Sequence, residues 1–325
     1  LQAVFCSGIG GQSKLTFGDA PEPELAADKV LIRVELVSIE AIDLVKLALY
    51  RTGMAEVPAE GVVGCQATGT VIAVGSRVTR FLPGDRVVAY DTCGSHAELF
   101  AAPESSTWLL PQGLGSEIGA APAYTLAAAH GTLFTRGGLR AGETVLINHA
   151  TSSLGIVAAQ LAAQAGATVI GVTRDGSRHR RLSCLGPHHL LSLRGDDVIA
   201  CCLELTDGKG VDFVFDVSAG ERFSELARLV IPGGRYASIS VAGEISPPAY
   251  GREGANAPLI SRFTITPAGP MRDRQVHAEV TRLLDQVGVG AIQLPIEHEF
   301  ALCEAAEAYD FILGGLPFGH VVMRP

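Results

Sequence analysis

The residues that could do chemistry are most concentrated in one run, Val145-Leu-Ile-Asn-His-Ala-Thr-Ser-Ser-Leu-Gly155. It joins a short apolar strand to a helix of small residues, and a second apolar run, Thr168-Val-Ile-Gly-Val-Thr-Arg174, follows. A strand, a tight turn and a helix N-terminus form a ready anion site, because the first backbone N–H groups of a helix have no internal acceptor. This is the opening of a dinucleotide-binding βαβ unit. In the frame G-x-G-x-x-G, however, the positions are Ala150, Ser152 and Gly155, so two of the three glycines are replaced. The residue that selects the ribose substituent, at the end of the second strand, is Arg174. An acid there binds a 2′-hydroxyl, whereas an arginine binds a 2′-phosphate. The segment therefore specifies NADPH, held by Ser152, Ser153 and Leu154 at the pyrophosphate. Thr173, Arg174 and Arg178 provide a basic cluster for the 2′-phosphate.

The elements that must position this turn follow from the apolar pattern. From about residue 118, short β-prone runs (145–148, 168–172, 189–193, 213–217, 235–239, 263–266) alternate with helical stretches. That alternation predicts a parallel sheet covered on both faces, with ligands at the carboxyl ends of its strands. Asp212 and Gly233-Gly234 are expected at turns before strands. The first ~115 residues read as β-rich, with strands at 30–37, 69–74 and 86–90, and one short helix at 41–50. A last strand is expected at 319–324.

Composition narrows the class. The 325 residues are 47% apolar and 18% charged, which suits two packed domains and excludes a disordered chain. A net charge of −9 argues against a nucleic-acid partner. Seven scattered cysteines, without C-x-x-C spacing, point to a reducing, cytoplasmic setting. No apolar run reaches the roughly 18–20 residues that span a bilayer. The chain begins at Leu1, which is expected of a trimmed protein or of a domain cut from a longer polypeptide.

Several phrases in order along the chain resemble the medium-chain dehydrogenase/reductase superfamily, in its zinc-free, quinone-reductase-like branch. They include Lys29-Val-Leu-Ile-Arg-Val, Gly69-Thr-Val-Ile-Ala-Val-Gly-Ser, Pro83-Gly-Asp-Arg-Val, Ala121-Pro-Ala-Tyr-Thr125 and Gly319-His-Val-Val. Others, such as Asp43-Leu-Val-Lys-Leu-Ala-Leu-Tyr50 and Thr206-Asp-Gly-Lys-Gly-Val-Asp212, resemble the enoyl reductase domains of polyketide and fatty-acid synthases. The resemblance implies an α/β fold: a GroES-like β-barrel catalytic domain (1–117 with 270–325) and a Rossmann doubly wound parallel-sheet cofactor domain (118–269). It implies no catalytic zinc. Where zinc members carry a Cys and a His-Glu pair, this chain has Ser38-Ile-Glu40 and Cys65-Gln66, which do not supply three ligands.

The same resemblance places Thr125 toward the cofactor, Ser218 and Ser240 by the nicotinamide half, and Tyr50 as the acid that protonates an enolate. It implies NADPH-dependent reduction of an enoyl thioester, with the substrate a small molecule or carrier-bound. The protein would be a homodimer or part of a multienzyme. Two alternatives stand beside this: a free-standing NADPH:quinone or enone reductase, and an inactive, structural reductase-like domain. The last is motivated by the altered phosphate loop, by Arg178 where some synthase reductases carry Lys, and by Glu40. Relatives usually place Asn at that position, and a carboxylate there would repel an enolate.

Overall fold

A computed structural model describes residues 1–7, 14–52, 61–115, 123–217, 222–239, 259–263, 274–315 and 317–325. The chain divides into two units, Leu1–Ala127 with Thr266–Pro325, and Ala128–Ile265.

The first unit is GroES-like. Strands β1 (Gln2–Ser7) and β2 (Lys14–Asp19) form an antiparallel pair. The main sheet is built on β3 (Lys29–Ser38), whose alternating Val30, Ile32, Val34 and Leu36 are buried while Arg33 points to solvent. That two-residue period is what commits one face of a strand to a core. β3 pairs with β4 (Gln66–Val74) and with β6 (Leu99–Pro103), and β5 (Arg86–Tyr90) joins β4 to β7 (Thr107–Leu109). Helix α1 (Ala41–Thr52) leaves the end of β3 after a two-residue turn, and α2 (Ala123–His130) begins in this unit.

The second unit is a six-stranded parallel sheet. Its strands are β8 (Thr144–Asn148), β9 (Thr168–Thr173), β10 (His189–Ser192), β11 (Val211–Asp216), β12 (Val230–Ile239) and β13 (Leu259–Phe263). Their order, β10-β9-β8-β11-β12-β13, is the 3-2-1-4-5-6 winding of a dinucleotide fold, with its switch point between β8 and β11. Helix α3 (Ser153–Gln164) follows β8 and α4 (Val198–Leu205) follows β10. Both faces of such a sheet are covered, so Val145, Leu146 and Ile147 are all fully buried.

The C-terminal segment returns to the first unit. Helix α5 (Arg274–Gly288) carries a buried row of Val280, Leu283, Leu284 and Val287, and it packs on β7. β14 (Ile296–Ala301), α6 (Ala305–Gly315) and β15 (His320–Arg324) complete the main sheet, in the order β14-β15-β3-β4-β5-β7.

Six elements differ from the sequence-based expectation. β1, β2 and β14 were not anticipated, since they are short or only partly buried. Asp212 lies within β11, where its carboxylate accepts from Thr144 N. Gly233-Gly234 lies inside the longer β12, where Gly233 takes a φ of +77° and a side chain at Gly234 would meet Asp212 O at 2.8 Å. The last strand of the parallel sheet runs Leu259–Phe263 rather than from 263 onward; residues 264–266 lie outside the described residues.

Candidate active site

Each unit contains one cluster of functional side chains. In the second unit, the turn between β8 and α3 is shaped by His149, which adopts a left-handed φ of 59°. That conformation costs a non-glycine residue roughly 1–2 kcal/mol. It is held by Asn148 Oδ1, which accepts from His149 N at 3.1 Å, and by His149 O, which accepts from Ser152 N at 3.0 Å. Ser152 is the N-cap of α3. Its hydroxyl donates to His149 O at 2.8 Å and accepts from Gly155 N at 3.0 Å. The replaced second glycine is thus a helix cap with an ordinary φ of −69°, and its hydroxyl is spent inside the turn.

The retained glycine is obligatory. A Cβ at Gly155 would lie 2.4 Å from His149 O and 2.8 Å from Ala150 Cα. The turn therefore closes tightly on the helix end, and Ser153 and Leu154 present the first N–H groups of α3 outward, as an anion cradle requires. At the tip of β9, Arg174 is exposed, and Arg178 and Arg194 act electrostatically on Asp175 between them. Asp175 turns its carboxylate back onto Ser177 N, which caps the next helical turn. Thr173 is fully buried, and its hydroxyl lies 2.8 Å from both Asp175 O and His179 Nε2. Beneath the turn, Asp216 accepts from Asn148 Nδ2 at 2.9 Å and from Tyr236 OH at 2.7 Å, all three buried. These residues tie the carboxyl ends of β8, β11 and β12 together. The cradle fits a dinucleotide pyrophosphate, and the exposed arginines fit a phosphate on the ribose. Ser218 and Ser240 lie outside the described residues.

In the first unit, Glu40 stands in the turn between β3 and α1, fully buried. Its Oε1 accepts from Ser38 Oγ at 2.7 Å and from Gln66 Nε2 at 3.1 Å; its Oε2 accepts from Thr125 Oγ1 at 2.7 Å. Gln66 is oriented in turn by Tyr124 N, which donates to its Oε1 at 2.8 Å. Burial raises the Glu40 carboxyl from its ordinary 4.5 to about 7; the three donors pull it back down and the neighbouring Asp43 pushes it up. Burial favours its neutral form and every oxygen is hydrogen-bonded, which limits the repulsion expected of a bare carboxylate at this place. The Thr125 hydroxyl is committed to Glu40.

A recess of about 280 Å³, including the open solvent at its mouth, is lined in part by α1. Asp43, Lys46, Leu47, Tyr50, Gly64, Thr92, Cys93 and Tyr309 are among its lining residues. Tyr50 is the sequence-predicted member. Burial raises its phenol above the usual value, while the Lys46 ammonium opposes that rise. Lys46 Nζ donates to Cys65 Sγ at 3.1 Å and to Thr92 O. Cys65 and Gln66 are brought into place by Gly64, at φ +86°, where any Cβ would fall 1.9 Å from His96 Nδ1. Asp43 and Lys46 were missed in the sequence. Their signal is the spacing of Asp43, Lys46 and Tyr50 at i, i+3 and i+7, one polar stripe in an otherwise apolar helix.

A metal does not fit these residues. Cys65 is a thiol, held neutral by burial, and an ammonium already occupies its sulfur. Glu40 faces three hydrogen-bond donors. Among the described residues no group of three His, Cys, Asp or Glu side chains is arranged to hold an ion. No helix there is long and apolar enough to cross a membrane.

Comparison with known proteins adds the relationships. Residues 26–135 match the alcohol dehydrogenase GroES-like domain, and residues 153–264 match the zinc-binding dehydrogenase family. The chain is similar to the quinone oxidoreductase of Pseudomonas aeruginosa, with 29% identity over 98% of both chains. It is also similar to the erythronolide synthase EryA2 of Saccharopolyspora erythraea, with 30% identity over 97% of this chain but 8% of the synthase. Among solved structures, a mycobacterial protein complexed with NADPH superposes at a TM-score of 0.88 with 25% identity, covering 100% of both chains.

Proposed function

The chain belongs to the medium-chain dehydrogenase/reductase superfamily, in its quinone-reductase-like branch, and on that premise we propose that it is an NADPH-dependent, zinc-independent reductase of an α,β-unsaturated thioester. The observation that carries this reading is Tyr50, a phenol kept protonated by burial in the wall of an open recess beside Lys46 and Asp43. Alkene reduction needs a proton donor held beside carbon, in a site from which water is largely excluded.

In the second unit, the N–H groups of Ser153 and Leu154 would hold the cofactor pyrophosphate, and Arg174 with Arg178 the ribose phosphate. Bound NADPH supplies a hydride. In the first unit, Tyr50 gives a proton to the α-carbon of the substrate and regains one from solvent. Glu40, Ser38, Gln66 and Thr125 fix the turn from which α1 starts, and so the direction in which Tyr50 points. The likeness to a stretch of a polyketide synthase supports a role as the reductase domain of such a multienzyme.

A second reading, reduction of a quinone by a free-standing enzyme, is favoured by the full-length match to a quinone oxidoreductase. Steady-state NADPH oxidation with a crotonyl thioester, run beside a simple quinone, separates the two. Thioester turnover at least tenfold more efficient supports the first reading, and the reverse order replaces it with the second. An inactive domain would bind no NADPH up to millimolar concentration, as followed by nicotinamide fluorescence.

A further inference from the structure

Lys46 has more hydrogen-bonding capacity than its neighbours use. An ammonium carries three protons. One goes to Cys65 Sγ and one to Thr92 O, and no acceptor among the described residues takes the third. The side chain lines the same recess as Tyr50, one helical turn before it on the same face of α1. Asp43, one turn earlier, also lines the recess. It spends Oδ2 on Glu40 N at 2.8 Å, while its buried Oδ1 has no partner among the described residues. Burial works against the charge on Lys46, while its hydrogen bond to the Cys65 sulfur and the Asp43 carboxylate beside it favour the ammonium. The other titratable groups around this face are Cys65 immediately before β4, Cys93, Cys6 on β1 and Tyr309 on α6.

We infer that Lys46 is a catalytic residue whose remaining N–H binds the carbonyl oxygen of the substrate in the recess and stabilises the enolate formed there. The inference rests on the reductase reading above and names the residue that carries its charge. Hydride arriving at the β-carbon forms a C–H bond, and the alkene π pair moves to make the α-carbon–carbonyl double bond. The carbonyl π pair moves to oxygen, so the negative charge develops beside Lys46. The enolate then collapses, its double-bond pair taking the Tyr50 proton at the α-carbon and re-forming the carbonyl. A donor fixed in advance at a developing oxyanion needs no reorganisation when the charge appears, which is why it favours the transition state over the substrate.

The test uses the full chain with Lys46→Met, Lys46→Arg and the unchanged protein. The probe is an acetoacetyl thioester of N-acetylcysteamine, whose enolate has its own ultraviolet band and which has no alkene to reduce. Saturating unchanged protein should lower the apparent enolisation pKa of the probe by about one pH unit. Lys46→Arg should keep part of that effect and Lys46→Met should lose it. In parallel, Lys46→Met should lower kcat for the crotonyl thioester by roughly 100-fold, with KM within threefold. NADPH fluorescence and circular dichroism confirm that each variant is folded. An enolate band unaffected by the unchanged protein, or equally perturbed by Lys46→Met, overturns the inference. So does a Lys46→Met kcat within threefold of the unchanged protein. If the unchanged protein turns over neither thioester nor quinone, the reductase reading fails, and the enolate measurement alone decides the role of Lys46.

Discussion

Thr125 Oγ1 donates to Glu40 Oε2 at 2.7 Å across 85 positions of sequence. This single bond joins the start of α2 to the turn before α1 and closes a buried network with Ser38 and Gln66. The network accommodates a carboxyl group at a place where relatives of this branch usually have a neutral amide.

The first prediction concerns that carboxyl. Its folded-state pKa of about 7 lies above the ordinary 4.5, so the folded chain binds this proton more tightly than the unfolded one. The stabilisation is therefore fully present below pH 4.5 and is lost as pH rises through 7. The gap corresponds to about 3 kcal/mol at about 1.36 kcal/mol per pH unit. Denaturant unfolding of Glu40→Gln should show it more stable than the unchanged chain at pH 8, with the advantage gone by pH 5. An equal difference at both values would assign Glu40 a charge-independent role.

A second prediction concerns the cap of α3. Ser152 accepts from Gly155 N, so Ser152→Ala should lower stability by about 1 kcal/mol and Ser152→Gly by a few tenths. Because the hydroxyl turns inward, Ser152→Gly should leave the NADPH dissociation constant within about threefold. Tightening of tenfold or more in a fluorescence titration would mean that the serine obstructs the pyrophosphate.

Gly155 should tolerate no side chain. The 2.4 Å approach of its Cβ to His149 O would force the turn open and misdirect the N–H groups of Ser153 and Leu154. Gly155→Ala is expected to weaken NADPH at least tenfold. Unaltered binding would place the pyrophosphate elsewhere.

The parts of the molecule that follow from local pattern were legible in the sequence. The parallel sheet could be read because its strands are buried on both faces and appear as apolar runs, and Gly155 because a βα turn has a fixed chemistry. The network around Glu40 was not legible, since it joins residues 38, 40, 66 and 125 only through tertiary pairing of β3 with β4 and the approach of α2. The capping role of the Ser152 hydroxyl was not legible for a different reason. Sequence marks a missing glycine, whereas only the hydrogen bonds identify a cap. Lys46 was overlooked because a helix judged by its apolar spacing conceals a polar stripe interleaved with its buried apolar residues.

Cofactor choice should depend on Arg174. It is exposed at the end of β9, where a ribose phosphate would lie in this winding. Hydrogen bonds to a charged group are worth about 1.5–3 kcal/mol, so Arg174→Ala should raise the NADPH dissociation constant roughly 10- to 100-fold. NADH, which has no 2′-phosphate, should change less than twofold. Parallel losses for both nucleotides would contradict the assignment.

The last prediction separates Tyr50 from its surroundings. Burial raises its phenol and Lys46 only partly offsets that, so the hydroxyl stays protonated through neutral pH and can give up its proton on demand. Tyr50→Phe keeps the ring that lines the recess and removes only the donor. General-acid groups contribute about 10²–10⁴-fold, so kcat for a crotonyl thioester should fall by at least about 100-fold while KM stays within threefold. With protonation made slow, the primary isotope effect from deuterated NADPH should shrink toward unity and a solvent isotope effect should grow. Loss of kcat with an undiminished NADPH isotope effect would instead mean that Tyr50 positions the substrate, and that the proton comes from another group lining the recess.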